Sequence, residues 1–377
     1  MSSTADDWCD AIVKSLPNIR VLSLSFCSLV GPICPSLSNL HSLTVINLQG
    51  NFFTHAFPEF FMGFLNLSVL NLAETNIQGL FPHRTFQSKA LRVLDLSGNQ
   101  DLSGHMPNFS NASSLEAMMV DGTKFSFAKP GSYSNFKYLK TLSLDVNSVP
   151  VEPQSSLGIL RSVQHLELSQ MGSATDLGPI LSLIFSQTSL SSVAKLKSLR
   201  SLTLTGCNDI RPVLFDNLVG LTNLDITSCN FNGPIPSAIG NLTNLKSLKI
   251  NGCEFLGSIP SSVGNLRNLR NLEISGFTEY SGVLAGSSSP IPASIGNLSN
   301  LERLDINCCG FSGPIPDEVG LLKKLTILRI GFCSLLSGRI PNSIVNLTRL
   351  IDLDLSYNLL NGKIVYLYSL MNDFRVN

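Results

Sequence analysis

The side chains best suited to metal binding or nucleophilic catalysis are five histidines and nine cysteines. The histidines show no pair at metal-ligand spacing, and the sequence contains neither an HExxH nor a CxxC motif. There is also no nucleophile elbow, phosphate-binding glycine loop or kinase signature. The sequence therefore predicts no catalytic residues, no metal site, no cofactor and no enzymatic activity.

Most of the cysteines follow a repeat with the pattern LxxLxLxxN. The second strand leucine recurs at Leu24, Leu48, Leu72 and Leu96, in steps of 24 residues. The register continues through about 14 repeats, with Val120, Leu144, Leu168, Leu204, Ile226, Ile250, Ile274, Ile306, Ile330 and Leu355 at the same position. A repeat held over most of a chain predicts a solenoid.

Three residues after that leucine lies a position, here called the ladder position, that carries Asn, Cys or Thr. The chain turns inward there, so buried backbone groups need partners, and amides, hydroxyls and thiols can all donate. We expect the cysteines in this set to be reduced, buried and unreactive. Its members are Cys27, Asn51, Thr75, Asn99, Thr123, Asn147, Cys207, Cys229, Cys253, Cys309, Cys333 and Asn358.

The spacing predicts an α/β solenoid. Alternation in Leu22-Ser23-Leu24 places both leucines on one side of a short strand, and stacked repeats form a parallel sheet over a shared core. We predict a curved sheet on the concave face, with 3₁₀ and short helical turns on the convex face. In motifs such as Gly233-Pro-Ile-Pro236, the isoleucine is predicted to form a second, shorter strand.

Irregular spacing divides the array. Met171 and Phe277 replace the ladder residue, and extra chain follows each of them. The prediction is a remnant of an N-terminal cap at 1–15, a first array at 16–170, an irregular insertion at 171–198, a second array at 199–364 with a loop insertion at 278–290, and a non-repeat tail at 365–377.

The residues between the strand leucines form the predicted ligand-binding face. Mixed charge with exposed aromatics is typical of a protein or peptide interface, although a solvated face without a partner would look similar. The candidates are Asp225, Lys249, Glu273, Asp305, Arg329, Phe332, Asp354 and Tyr357.

Six Asn-x-Ser/Thr motifs are predicted glycosylation sites if the chain is exported, although N-L-[ST] also belongs to the repeat pattern. They lie at Asn66, Asn108, Asn111, Asn241, Asn297 and Asn346.

Composition excludes several classes of function. Charged residues make up 14% of the chain, and 26 basic residues balance 26 acidic ones, so no charge excess draws in nucleic acid. No apolar run is long enough to span a membrane, and the first residues lack the features of a secretory signal.

The segment LTNLDITSCNFNGPIPSAIGNLTNLKSLKINGCEFLGSIPSSVGNL (221–266) resembles the plant-specific class of leucine-rich repeat, and the opening LPNIRVLSLSFC resembles plant receptor-like proteins. The resemblance covers about residues 16–364. It implies an extracellular or plasma-membrane ectodomain that binds a peptide, glycan or microbial protein in defence or development signalling, with a co-receptor as a further partner.

The chain departs from that family at both ends. Only Trp8-Cys9 resembles the N-terminal cap, and no signal peptide, C-terminal cap, membrane helix or kinase motif is found. We interpret it as truncated at both ends. The alternatives are a soluble inhibitor of a microbial cell-wall-degrading enzyme and a nonfunctional receptor fragment. The states of Cys9, Cys34 and Cys308 stay open at this point.

Overall fold

A computed structural model gives the fold. It describes residues 7–82, 85–105, 108–109, 114–126, 137–145, 162–169, 198–207, 210, 215, 218–276, 289–307, 310–333 and 335–361. The chain forms two compact units, an N-terminal unit at Met1–Ser173 and a C-terminal unit at Ala174–Asn377. Each is described by itself below. Almost all of the insertion at 171–198, most of the loop at 278–290 and the whole tail at 365–377 lie outside the described residues.

In each unit, one short main strand per repeat joins a parallel sheet. The register is in phase with the repeat, since Leu70 pairs with Leu94 and Leu248 with Leu272. The main strands of the N-terminal unit are Val21–Ser23, Val45–Asn47, Val69–Asn71, Val93–Asp95, Ala117–Met119, Thr141–Asp145 and His165–Ser169. Those of the C-terminal unit are Ser201–Thr205, Asn223–Thr227, Ser247–Cys253, Asn271–Gly276, Arg303–Asn307, Ile327–Gly331 and Asp352–Asp354. This confirms the predicted α/β solenoid, with fourteen main strands.

The strand leucines lie in the core, as the alternating pattern requires. Leu96, Ile226 and Ile330 are completely buried. The residues between them face away from the core, and we call this side of the sheet the open face. Burial of aliphatic side chains in every repeat is the main stabilising contribution, at about 1.5–3 kcal/mol for each large side chain.

Short 3₁₀ helices line the side opposite the sheet, called the back here. They are Pro35–Asn39 and Glu59–Gly63 in the N-terminal unit, and Ser237–Asn241, Ser261–Asn265, Ala293–Asn297, Asp317–Leu321 and Asn342–Asn346 in the C-terminal unit. Most begin directly after a proline, such as Pro236 or Pro260, in an extended conformation. Proline fixes φ and has no N–H to donate, which suits the residue that precedes a helical turn.

Flanking strands form beside the main sheet, but not where the sequence predicts them. In the C-terminal unit they are Ser312–Gly313, Leu335–Arg339 and Leu359–Asn361. In the N-terminal unit they are Val30–Gly31, Phe52–Phe53, Gly79–Leu80, Thr85–Phe86, Leu102–His105, Asn108–Phe109 and Lys124–Ser126. The prediction that the isoleucine of GxIP forms this strand is wrong. Ile235, Ile259 and Ile315 are buried in the core instead, since their aliphatic side chains gain more from burial than from an exposed flank.

An α-helix at Asp7–Ser15 precedes the first repeat. Its Cys9 forms a disulfide with Cys34, and both residues are buried. Ser36 also donates a hydrogen bond to Asp10 of this helix at 2.5 Å. The disulfide and the polar contact together fasten the helix to the first repeat. Among the described residues, no helix is long and apolar enough to cross a membrane.

Candidate functional site

The ladder asparagines satisfy the backbone at each turn. Asn99 accepts hydrogen bonds from the backbone N–H groups of Thr75 and Ile77 at 3.1 and 3.0 Å. Its amide nitrogen donates to the carbonyls of Leu72 and Leu96, both at 2.8 Å. Asn51 makes the same set of bonds two repeats earlier in the array. Because these bonds connect successive repeats, the role of the ladder is structural.

The ladder cysteines use their thiols in the same way. Cys229 accepts from the Cys207 backbone N–H at 3.1 Å and donates to the carbonyl of Thr227 at 3.3 Å. Hydrogen bonding with Cys207 raises the pKa of Cys229 to about 12. Hydrogen bonding with Cys229, together with burial, also raises the pKa of Cys253. Thiols held protonated at neutral pH are poor nucleophiles and poor metal ligands.

The prediction that the ladder cysteines are buried is right for some of them and wrong for one. Cys207, Cys229, Cys253 and Cys333 are buried, whereas Cys27 is exposed, so the prediction of burial is wrong for Cys27. Cys27 belongs to the first repeat, where its thiol donates only to the Ser25 carbonyl at 3.5 Å. Asn147, Cys308 and Cys309 lie outside the described residues.

The predicted binding residues of the C-terminal unit form one row across the open face. Consecutive members are paired in register, from Asp225 with Lys249 to Arg329 with Asp354. Glu273 and Asp305 fill the row between them. Neighbouring side chains in a parallel sheet lie about 4.8 Å apart, so the row presents a regular series of charges.

Most of these charges are already paired with one another. Lys249 lies 3.7 Å from Glu273, and Arg303 lies 3.1 Å from the same carboxylate and 2.5 Å from Asp305. The side-chain amide of Asn307 also donates to Asp305. Asp305 is 9% exposed, and burial raises its pKa in spite of Arg303. The Asp305 carboxylate is therefore buried and bonded within the sheet, so it is a poor contact for a ligand.

A second ion pair occupies the next strands. The Arg329 guanidinium donates to Asp352 through Nη2 at 2.5 Å and Nε at 3.1 Å. Asp354 accepts from the Ser356 backbone N–H at 2.9 Å, and hydrogen bonding with Ser356 lowers its pKa. Among the described residues, no cation lies within ion-pair distance of Asp354.

Phe332 and Tyr357 stack on each other at the end of the same strands. Their ring centroids are 4.3 Å apart and their planes are inclined by 15°. Phe332 is 52% exposed and Tyr357 is 73% exposed. Exposed stacked aromatics next to charged groups are typical of recognition surfaces. We call this pair the aromatic rim.

The open face of the N-terminal unit has a different charge pattern. Asp95 is half-buried, and burial raises its pKa, as do the nearby carboxylates of Asp121 and Glu74. Hydrogen bonds from the Ser97 N–H and hydroxyl, at 3.1 and 2.7 Å, oppose this rise.

Among the described residues, no group of three or more His, Cys, Asp and Glu side chains is arranged to hold a metal ion.

The asparagines of the four described N-L-[ST] motifs are all exposed, and each lies at the end of a 3₁₀ helix or shortly after one. Asn241, Asn297 and Asn346 each end a 3₁₀ helix, and Asn66 follows another. The Asn66 side chain donates only a long bond, 3.4 Å, to the His41 carbonyl. Asn111 lies outside the described residues, and for Asn108 only the backbone, in a flanking strand, is described.

Several outward-facing residues are not among the binding residues that the sequence predicts. Arg303 and Asp352 lie two positions earlier in their strands and complete the ion pairs. Phe26 occupies the same turn position as Phe332 and Tyr357, and it is 67% exposed. The sequence carries a signal for Arg303 and Asp352, because every second residue of a strand faces the same side, whereas Phe26 lies in the turn after the strand, where that alternation ends.

Comparison with known proteins agrees with the repeat pattern. A family model described as leucine rich repeat matches residues 41–100, and a single-repeat model of the same description matches residues 18–40, 220–242, 244–266 and 300–322. Receptor-like protein 6 of Arabidopsis thaliana is 31% identical over 106 residues. That match covers 28% of this chain and 11% of the relative, so the chain corresponds to a small part of the relative's length.

Two solved structures share the fold over nearly the whole chain. The crystal structure of a TDR receptor superimposes with a TM-score of 0.59 and 25% identity, covering 96% of this chain and 59% of that one. The crystal structure of PEPR1-AtPEP1 gives a TM-score of 0.58 and 24% identity, covering 96% and 48%.

Proposed function

We propose that this chain, a leucine-rich-repeat protein of the plant receptor-like type, is a non-catalytic recognition module. It binds an extended peptide segment of its partner on the open face of the C-terminal unit. The observation that carries the proposal is the in-register row from Asp225 to Asp354, which ends at the aromatic rim. An extended peptide that crosses the strands advances about 3.3 Å per residue, so a short segment can contact several members of a row spaced about 4.8 Å apart. Surface ion pairs contribute little to stability, so the mixed charge of the row is better explained by recognition than by a contribution to folding.

We also propose that the protein works outside the cell or at the plasma membrane, as part of defence or development signalling, with a co-receptor as a second partner. The Cys9–Cys34 disulfide supports passage through an oxidising compartment, where such bonds form and persist. The exposed N-L-[ST] motifs are consistent with the same route.

The test uses a library of random linear peptides selected against the full chain. Affinities of the selected peptides are then compared between the native chain and two charge-swapped variants. One variant, Asp225→Lys with Lys249→Glu, reverses a registered pair on the open face. The other, Asp317→Lys with Lys323→Glu, reverses two exposed charges on the back. Both variants retain the net charge, and thermal unfolding verifies that both are folded.

We expect the open-face swap to weaken binding at least tenfold and the back swap to leave it unchanged. Equal affinity of the native chain and the open-face variant would overturn the proposal. The second candidate, an inhibitor of a microbial wall-degrading enzyme, predicts a different result. It would yield no linear peptides but would bind a folded polygalacturonase and reduce that enzyme's activity.

A further inference from the structure

The residue before the ladder position adopts the left-handed backbone conformation in all ten repeats where both residues are described. Five of these residues are glycines, with φ between +58° and +70°: Gly50, Gly98, Gly122, Gly206 and Gly252. The other five are Phe26, Glu74, Ser228, Phe332 and Tyr357, with φ between +53° and +58°. The turn therefore favours glycine, and any other residue there carries backbone strain.

Two of the exceptions are adjacent and form the aromatic rim. The Phe332 and Tyr357 rings extend into solvent instead of filling the core. Their stacking recovers only part of the backbone strain that glycine would avoid. Strain retained at an exposed position indicates a functional constraint more often than a structural one.

The sheet beside the rim carries small residues and one carboxylate that forms no ion pair among the described residues. Gly331 and Ser356 are the open-face residues immediately before Phe332 and Tyr357, so little side-chain volume separates the rim from the charged row. Lys249, Glu273, Arg303 and Asp305 pair with one another, and Arg329 pairs with Asp352. Asp225 and Asp354, at opposite ends of the row, are its members without an ion-pair partner among the described residues, and Asp354 is the one next to the aromatic rim.

We propose that Phe332, Tyr357 and Asp354 form a subsite for an arginine side chain of the partner peptide. An arginine can stack on an aromatic ring while its guanidinium pairs with a nearby carboxylate. A ligand charge at Asp354 gains a new ion pair, whereas one placed on the paired residues has to disrupt existing contacts. The inference rests on the proposed function, because it specifies the side chain recognised at one end of the proposed peptide site.

The probe is a fluorescein-labelled glycine–serine peptide with two central arginines, measured by thermophoresis at low ionic strength. The matched peptide carries citrulline, which retains the planar group and removes its charge. We expect the arginine peptide to bind about three- to tenfold more tightly.

The variants separate the rings from the charge. Asp354→Asn and the double variant Phe332→Gly with Tyr357→Gly should each abolish the preference for arginine, whereas Tyr357→Phe should retain it. Because glycine suits the backbone of this turn, the double variant should unfold at the same or a higher temperature, so loss of binding cannot be attributed to misfolding. Ser228→Gly makes the same backbone change elsewhere, and Asp317→Asn removes a carboxylate on the back. Both should bind the peptide as the native chain does.

Equal binding of the arginine and citrulline peptides would overturn the inference. So would an arginine preference that survives either Asp354→Asn or the double glycine variant. If library-selected peptides lose affinity for the Asp225→Lys, Lys249→Glu variant while Asp354→Asn has no effect on them, the proposed function holds and the arginine subsite fails. If neither change affects those peptides, both proposals fail.

Discussion

Asn99 accepts a hydrogen bond from the Thr75 backbone N–H, 24 residues earlier, at 3.1 Å. The Thr75 hydroxyl donates to the Leu72 carbonyl at 2.6 Å and lies 3.2 Å from the same Asn99 oxygen. Both residues are completely buried, so water cannot replace either partner. The ladder thus connects successive repeats through buried backbone N–H groups that lose their partner if the asparagine side chain is removed.

Replacement of Asn99 by alanine should therefore be costly. We expect Asn99→Ala to lower the free energy of unfolding by about 3 kcal/mol, because several buried backbone groups lose their partners. Asn244→Ala is the matched control, since Asn244 is exposed and donates one bond, to the Val219 carbonyl at 2.8 Å. Chemical denaturation compares the two. A loss for Asn99→Ala as small as that of the control would contradict the structural role of the ladder.

The sequence predicts the parts of this fold that repeat. The leucine period fixes which residues are buried, so the register of Leu248 with Leu272 and the row from Asp225 to Asp354 follow from counting. The 3₁₀ turns follow from the short distance between successive strands. These features depend on sequence spacing alone, and every repeat reinforces them.

Features that depend on one repeat's surroundings are not predictable in this way. Cys27 has the ladder residue type but lies in the first repeat, where it is exposed. The pairing of Arg303 with both Glu273 and Asp305 depends on side-chain rotamers. The Cys9–Cys34 disulfide is an intermediate case. Both cysteines fall outside the ladder and lie about one repeat apart, a spacing that could have suggested the bond.

Glycine on the back allows successive 3₁₀ helices to pack closely. A Cβ added at Gly264 would lie 2.6 Å from the Ser294 carbonyl oxygen of the next repeat. We expect Gly264→Ala to destabilise the chain by about 2 kcal/mol, because backbone has to move to make room. A Cβ at Gly233 would meet nothing closer than the Phe231 oxygen at 4.0 Å. Gly233→Ala should therefore be neutral or slightly stabilising. Thermal unfolding of both variants provides the measurement, and equal effects at the two sites would contradict the packing argument.

The Cys9–Cys34 disulfide should contribute to stability as a cross-link. We expect Cys9→Ala with Cys34→Ala to lower the free energy of unfolding by about 2–4 kcal/mol, since the unfolded chain gains freedom when the loop is opened. Thermal unfolding with and without a reductant measures the effect. The reductant should destabilise the native chain and leave the double variant unchanged. If the double variant also responds, the effect of the reductant arises elsewhere.

Asp95 and Asp354 should affect stability in opposite directions as pH changes. Both accept hydrogen bonds from the serine two residues later, but burial raises the pKa of Asp95, whereas hydrogen bonding with Ser356 lowers that of Asp354. Ionised Asp95 therefore destabilises the folded state at neutral pH, and Asp95→Asn should be more stable than the native chain there. Asp354→Asn should be less stable at neutral pH, because it loses a carboxylate that the folded state favours.

The pH range in which each stability difference disappears follows from the directions of the two pKa shifts. For Asp95, the advantage of the asparagine variant should shrink as pH falls through the raised pKa and vanish below the unfolded value of about 3.9. For Asp354, the deficit should shrink from that unfolded value downwards, through the lowered pKa of the folded state. Unfolding temperatures across this range provide the measurement. Shifts of the same sign for both variants at neutral pH would contradict the assignment.

Exposed asparagines on the back should accept glycans where Ser or Thr follows two residues later. In chain secreted from plant cells, we expect modification at Asn66, Asn241, Asn297 and Asn346, detected as mass lost on treatment with a glycosidase that releases N-linked glycans. Asn265 provides a matched position, because it also ends a 3₁₀ helix and is exposed but is followed by Leu266 and Arg267. It should be unmodified in the native chain, and Arg267→Thr should make it an acceptor. A glycan absent from Asn265 in that variant but present at Asn241 would show that exposure at this register is not sufficient.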